Sequence, residues 1–286
     1  MNERPHVDYF DGLRIFAALC VIFMHTAAGP LHGPVMVHFW YLYTLIALYA
    51  LSPILYGGIQ VLGKSGRVYL FVLAAAVSAH TILMTVLPDG AAQYVDLDIF
   101  DKLKIFGGHM ATFVLGYLLG SYEKETPNWL LALGAVVLLA VISVGTWVRT
   151  VRTGEFNQSF QNQSAGFEIV LASCIFLLCK QTCNRPPRAK VKAVTGPVVA
   201  LSMAIYLMHN IFLSMLFSVG VSVHSFGSTV GVTLLAFAAC FVVTKTVATI
   251  RPLCYLATGK TYAEACRSCN WVYTFRRLRG HSAAEK

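Results

Sequence analysis

Eight apolar runs, at 13–28, 37–62, 68–87, 105–122, 129–148, 165–178, 198–219 and 230–250, are set apart by short polar stretches. Most approach the roughly 20 residues that a helix needs to cross the hydrocarbon of a bilayer. The pattern predicts an all-α protein, a polytopic membrane helical bundle of about eight transmembrane helices. The runs at 13–28 and 165–178 are the shortest or most interrupted by polar residues. Asp8, Asp11 and Arg14 crowd the boundary before Leu13. That leaves no separate charged stretch, apolar core and small-residue cleavage site, so the first run is read as a retained span and not a signal peptide.

Composition agrees: 57% of residues are hydrophobic and 12% charged, with a mean hydropathy of +0.64, outside the soluble globular range. The 22 Lys and Arg residues set the orientation, because short cytoplasmic loops accumulate them. With the amino terminus inside, Arg4, Lys64, Arg67, Lys124, Lys180, Arg185, Arg188, Lys190, Lys192 and the carboxy-terminal basic cluster are cytoplasmic. Lys102, Lys104, Arg149 and Arg152 are then outside, as are the acidic Asp89, Asp96, Asp98 and Asp101. Both termini are expected inside, in a multi-pass protein of the plasma membrane. The net charge of +9 is an orientation signal in this reading, and no nucleic-acid partner is expected. The chain reads as one membrane domain, 1–259, followed by a basic cytoplasmic tail, 260–286. In that tail Trp271, Val272, Phe275 and Leu278 fall at helical spacing among Arg276, Arg277 and Arg279, which suits either an interfacial helix on an anionic leaflet or a disordered tail. Cys266 and Cys269 have metal-ligand or redox spacing but no second ligand pair, so they are read as reduced thiols and no metal is expected. The other six Cys are read as small apolar residues. Asn157 and Asn162 each begin an N-x-S triplet.

Two groups of polar residues interrupt the apolar pattern. Arg14 and His25 are eleven positions apart in the first run, which in a helix is about 16 Å and roughly 20° beyond three full turns. Both therefore share one face. An imidazole exchanges protons near neutrality and suits a general base; equally it suits a hydrogen-bonded residue near the Gly29-Pro30 break. The Arg14 guanidinium can bind phosphate in a bidentate manner, or anchor the helix at the inner boundary beside Asp11. In the seventh run Ser202, Tyr206 and His209 recur at i, i+4 and i+7. A polar stripe at that depth faces a bundle interior or joins helices by hydrogen bonds. His38, Trp40, Tyr41 and Tyr43 open the second run as an aromatic belt or as a pocket wall. His80 and His109 sit in no comparable stripe.

The segment YFDGLRIFAALCVIFMHTA (9–27) resembles the opening of acyltransferase family 3, whose first helix carries Arg, ten residues, then His after Asp-Gly-Leu. HFWYLYTLIALYALSPIL (38–55) is similar to that family's Trp-Phe-Leu-Tyr helix ending in Pro, here Trp40, Leu42, Tyr43, Tyr49 and Pro53. FVLGYLLG (113–120) and SMAIYLMHNIFL (202–213) resemble two further helices, the latter through Tyr206, Leu207 and His209. Leu45 stands where another branch of the family has a carboxylate.

The resemblance implies a membrane acyltransferase that moves an acyl group, usually acetyl, from cytoplasmic acyl-CoA to a hydroxyl or amine of an extracytoplasmic glycan or lipid-linked sugar, as in O-acetylation of cell-surface polysaccharide. It implies no bound cofactor, with acetyl-CoA or another acyl-CoA as co-substrate. By the same likeness His25 is the catalytic residue and Arg14 binds the donor. His209, Tyr206, Trp40 and Tyr43 line the site. The chain departs from the family in lacking two helices between the Arg/His helix and the Trp-Phe-Leu-Tyr helix. Losing a pair of spans preserves topology but removes one wall of the site. The competing reading is therefore a shortened, non-catalytic relative acting as a membrane binding protein. A transporter is a third class, for which no internal inverted repeat is seen.

Overall fold

The computed structural model describes residues 8–27, 40–87, 91, 94–95, 109–155, 157–161, 166–183 and 189–278. Outside these lie the Gly29-Pro30 break, His38, the acidic Asp89, Asp96, Asp98 and Asp101, Lys102, Lys104, Asn162, Arg185, Arg188 and Arg279. The side chains of Trp40, Tyr41, Tyr43, His109 and Lys190 are likewise outside the description.

The regular elements among the described residues are helices: α1 (Asp8–Ala27), α2 (Trp40–Val86), α3 (His109–Gly120), α4 (Asn128–Thr153), α5 (Gly166–Thr182), α6 (Ala189–Ser218), α7 (Phe226–Val247), α8 (Cys254–Thr258), α9 (Tyr262–Ser268) and α10 (Trp271–Leu278). Among the described residues, five helices are long and apolar enough to cross a membrane, namely α1, α2, α4, α6 and α7. The chain divides into two compact units, Met1–Trp40 with Cys183–Lys286, and Tyr41–Thr182.

In the second of these units, α2 runs for 47 residues, which as one straight rod would be about 70 Å, over twice the hydrocarbon thickness. It is broken at Gly63, whose φ of 56° and ψ of −135° lie outside the helical region. A residue with a Cβ resists that conformation. The break falls in the Gly-Lys-Ser-Gly stretch between the second and third apolar runs, so the two halves correspond to the two runs expected there. Pro53 lies inside the first half and cannot donate to the carbonyl of Tyr49 four residues back. The Ser52 hydroxyl donates to that carbonyl instead, at 2.9 Å. The chain thereby keeps the backbone satisfied where water is absent.

Two cationic side chains tie this unit together at helix ends. Lys180 of α5 donates through Nζ to the carbonyls of Leu119 (2.9 Å), Gly120 (2.7 Å) and Tyr122 (2.6 Å), at and beyond the C-terminus of α3. Arg149 of α4 donates to the carbonyls of Thr85 (2.8 Å) and Leu87 (3.4 Å), where α2 ends. Terminal carbonyls lack intrahelical donors and carry the negative end of the helix dipole, so both cations satisfy two needs at once. Gly166 starts α5 against α2: its N–H donates to Thr81 Oγ1 at 3.0 Å, and a Cβ there would lie 2.2 Å from the carbonyl oxygen of Ser78. Phe160 stacks on Phe167 with ring centres 5.6 Å apart, beside Ile142 of α4. Trp129 and Trp147, both exposed on α4, are about 27 Å apart along the helix, a spacing suited to two interfacial anchors.

In the other unit, α1, α6 and α7 pack around Ile22, Leu201, Ile205, Leu213, Val232, Ala236 and Cys240. The apolar stripe of α6 advances in steps of four residues through Leu201, Ile205, His209 and Leu213, all buried. Only residues 219–225 separate α6 from α7, so the two run antiparallel. Phe23 near the end of α1 meets Phe226 at the start of α7, ring centres 5.8 Å apart, which makes α1 parallel to α6. Ser225 and Ser228 form a capping box at the start of α7. The buried hydroxyls of Thr229, Thr233 and Thr244 return to carbonyls four residues back in their own chain, so they cost little in an apolar setting.

Residues 254–278 pack onto this bundle. Cys254, Ala265 and Cys269 join the same core as Leu201 and Ala236. Helix α9 opens with a capping box between Thr261 and Glu264. The backbone amide and hydroxyl of Thr261 bonded to Glu264 hold its carboxyl below the usual carboxylate range. Helix α10 forms at the spacing read from Trp271 and Phe275. Trp271 donates through its indole N–H to Thr246 Oγ1 at 3.1 Å and through its backbone N–H to Thr249 Oγ1 at 3.2 Å. The ammonium of Lys245, buried at the end of α7, lies 4.5 Å from the centre of the Trp271 ring and 5.1 Å from that of Phe241. Such contacts let an amine stay beneath apolar cover.

Candidate active site

The bundle of α1, α6 and α7 carries polar groups in its middle as well as at its ends. On α1 the buried positions Ala18, Ile22 and Thr26 recur every four residues, and His25 lies within about 20° of Ala18 on the helical wheel. On α6, His209 replaces an aliphatic residue in the middle of the buried stripe and is 1% exposed. Because α1 and α6 are parallel, the two imidazoles occur at one level, with ring centres 5.1 Å apart and planes inclined at 38°. Tyr206, one turn before His209, packs its ring at 5.5 Å from the His209 ring. Its carbonyl oxygen makes a short hydrogen bond with His209 Nδ1.

The structure thus brings together His25, His209 and Tyr206 of the residues singled out from sequence. Arg14 is exposed on α1, about 16 Å along the axis from His25 and on the same face. Ser202 turns its hydroxyl to the carbonyl of Val199 at 2.8 Å. Trp40 and Tyr43 belong to the first turn of α2 by backbone only. His80, on α2, is buried, with Nε2 hydrogen-bonded to the carbonyl of Val95 at 3.3 Å.

Sequence reading passed over Asn210. It is 2% exposed, and its Oδ1 has no hydrogen-bond partner within the described structure. A buried amide oxygen without a donor costs about 1–3 kcal/mol. An Asn inside an apolar run, next to a histidine, is the signal that could have found it. Among the described residues no group of three or more His, Cys, Asp or Glu side chains is arranged to hold a metal ion. Cys266 Sγ accepts from Asn270 Nδ2 at 3.2 Å, and burial pushes the Cys269 thiol up.

An apolar helical bundle with paired imidazoles inside it defines a membrane protein whose interior carries groups able to move protons. The family model described as an acyltransferase domain, that of acyltransferase family 3, matches residues 28–245. The chain belongs to this family. The matched stretch includes Tyr206, His209 and Asn210 and begins immediately after α1, so Arg14 and His25 precede it. Comparison with curated proteins and with solved structures gives no match.

Proposed function

We propose that the protein transfers an acyl group, acetyl in the simplest case, from cytoplasmic acyl-CoA to a hydroxyl or amine of an extracytoplasmic glycan or lipid-linked sugar. In this reading the chain crosses the plasma membrane eight times, the two halves of α2 counting separately, with both termini in the cytoplasm. The carrying observation is the juxtaposition of His25 and His209 inside a bundle of a chain that belongs to an acyltransferase family. Arg14, near the cytoplasmic end of α1, takes donor phosphate. His25 removes the proton of the acceptor O–H or N–H as that atom attacks the thioester carbonyl. A tetrahedral intermediate forms, the C–S bond breaks, and the CoA thiolate leaves with the proton that His25 held. The new ester or amide leaves toward the outer side.

Purified protein in lipid, given acetyl-CoA and a glycan acceptor, tests the reading. His25→Ala is expected to lower kcat by the roughly 10²–10⁴-fold typical of a lost acid-base group, and Arg14→Ala to raise KM for the donor. Wild-type protein that consumes no acyl-CoA with any acceptor, or a His25→Ala variant as fast as wild type, would sink it.

A further inference from the structure

The geometry points to His209 as a positioning residue for His25, set in one tautomer by the backbone of its own helix. This rests on the catalytic reading of His25 given above. A carbonyl oxygen only accepts, so the hydrogen bond between His209 Nδ1 and the carbonyl of Tyr206 places the hydrogen on Nδ1. The neutral ring then has its lone pair on Nε2. The Tyr206 ring packed against the imidazole and the burial of His209 at 1% exposure hold that ring in place.

The neighbouring imidazole is His25, 5.1 Å away between centres. A ring nitrogen lies about 1.1 Å from its ring centre, so an N–H···N bond of about 3 Å between two imidazoles separates their centres by about 5.2 Å. The rings stand at the separation such a bond needs. When His25 takes the acceptor's proton it becomes an imidazolium with two N–H groups. One holds the proton destined for the departing thiolate. The other needs an acceptor inside an apolar bundle, and His209 Nε2 supplies it. Before that step the same contact fixes the His25 hydrogen on the nitrogen facing His209 and puts the lone pair on the other nitrogen, which acts as the base. No new bond to carbon is made by His209, which acts only through His25.

Two substitutions separate this role from packing. His209→Gln puts an amide near the position of Nε2, where its oxygen can accept, and His209→Asn puts one near Nδ1 only. Loss of a hydrogen bond to a charged group costs about 10- to 100-fold, so His209→Asn is expected to lose that much kcat with KM for both substrates nearly unchanged. His209→Gln should keep most of the rate. Equal losses in the two variants, or full activity in His209→Asn, would overturn the inference. A second readout does not depend on turnover: diethylpyrocarbonate modifies the imidazole nitrogen that bears the lone pair, and its rate at His25 is followed by mass spectrometry of the intact protein in lipid. His25 labelling should slow several-fold in His209→Asn and stay near wild type in His209→Gln. Identical labelling in all three proteins refutes the pairing. A labelling difference with no acyl transfer by wild type refutes the proposed function and leaves the pairing standing.

Discussion

In the unit Tyr41–Thr182, the cationic side chains that reach from one helix to another end on helix termini: Lys180 on the carbonyls closing α3, Arg149 on those closing α2. In the other unit, His209 sits along the body of α6, in the buried stripe with Leu201 and Ile205, and meets His25 from the last turn of α1. The first use answers a demand that every helix makes, since its last carbonyls lack donors. His209, in the middle of the buried stripe, answers no such demand. Leucine at position 209 would continue the stripe of α6 and leave no backbone group unsatisfied. Polar side chains at helix ends therefore explain the fold, whereas polar side chains amid an apolar stripe call for a chemical explanation.

The comparison can be broken at several points. Ile205→Ala, one turn from His209 on the same stripe, opens a cavity in the first unit and should cost about 2–5 kcal/mol, seen as a lower Tm in detergent. Activity per folded molecule should fall as well, because the cavity lies beneath the imidazole pair. Lys180→Met removes the donor to three carbonyls and should cost about 1.5–3 kcal/mol, but kcat per folded molecule should hold. If Lys180→Met instead abolished turnover while the protein stayed folded, the separation of structural from chemical polar groups would be wrong. The smallest effect belongs to Glu264→Gln at the start of α9. The folded carboxyl titrates below its unfolded value, so its contribution is present above the unfolded value and is lost as pH falls through the folded one. The variant should melt slightly below wild type at neutral pH, and the gap should close in acid. A gap that widened in acid would contradict the capping box.

Hydropathy made the helices legible. Runs of apolar residues correspond to α1, both halves of α2, α4, α6 and α7, and Gly63 marks the break that separates two runs. The helix boundaries do not coincide with the apolar runs: α1 begins at Asp8, before the first run. Within the candidate site, rotation along one helix related Arg14 to His25 and Tyr206 to His209. The meeting of His25 with His209 was implied only by the family resemblance, because it depends on α1 and α6 being parallel neighbours, which no single-helix periodicity encodes. The packing of Cys254, Ala265 and Cys269 into the bundle was hidden for the same reason. Cys269 reads with Cys266 as a thiol pattern, and only its packing with residues of α6 and α7 makes it part of a core. Lys245 and Asn210 are the opposite case: each is a polar residue inside an apolar run, visible in the sequence and overlooked.

The clamp between Lys245 and Trp271 has a practical consequence for anyone shortening this chain. A stop codon placed after the last membrane helix would strip the aromatic lid from a buried ammonium and remove the donor that closes on Thr246 and Thr249. It would also delete Ala265 and Cys269 from the bundle they complete. Trimming before Trp271 would thus injure the membrane part itself, whereas a reporter fused beyond Leu278 leaves all of those contacts in place.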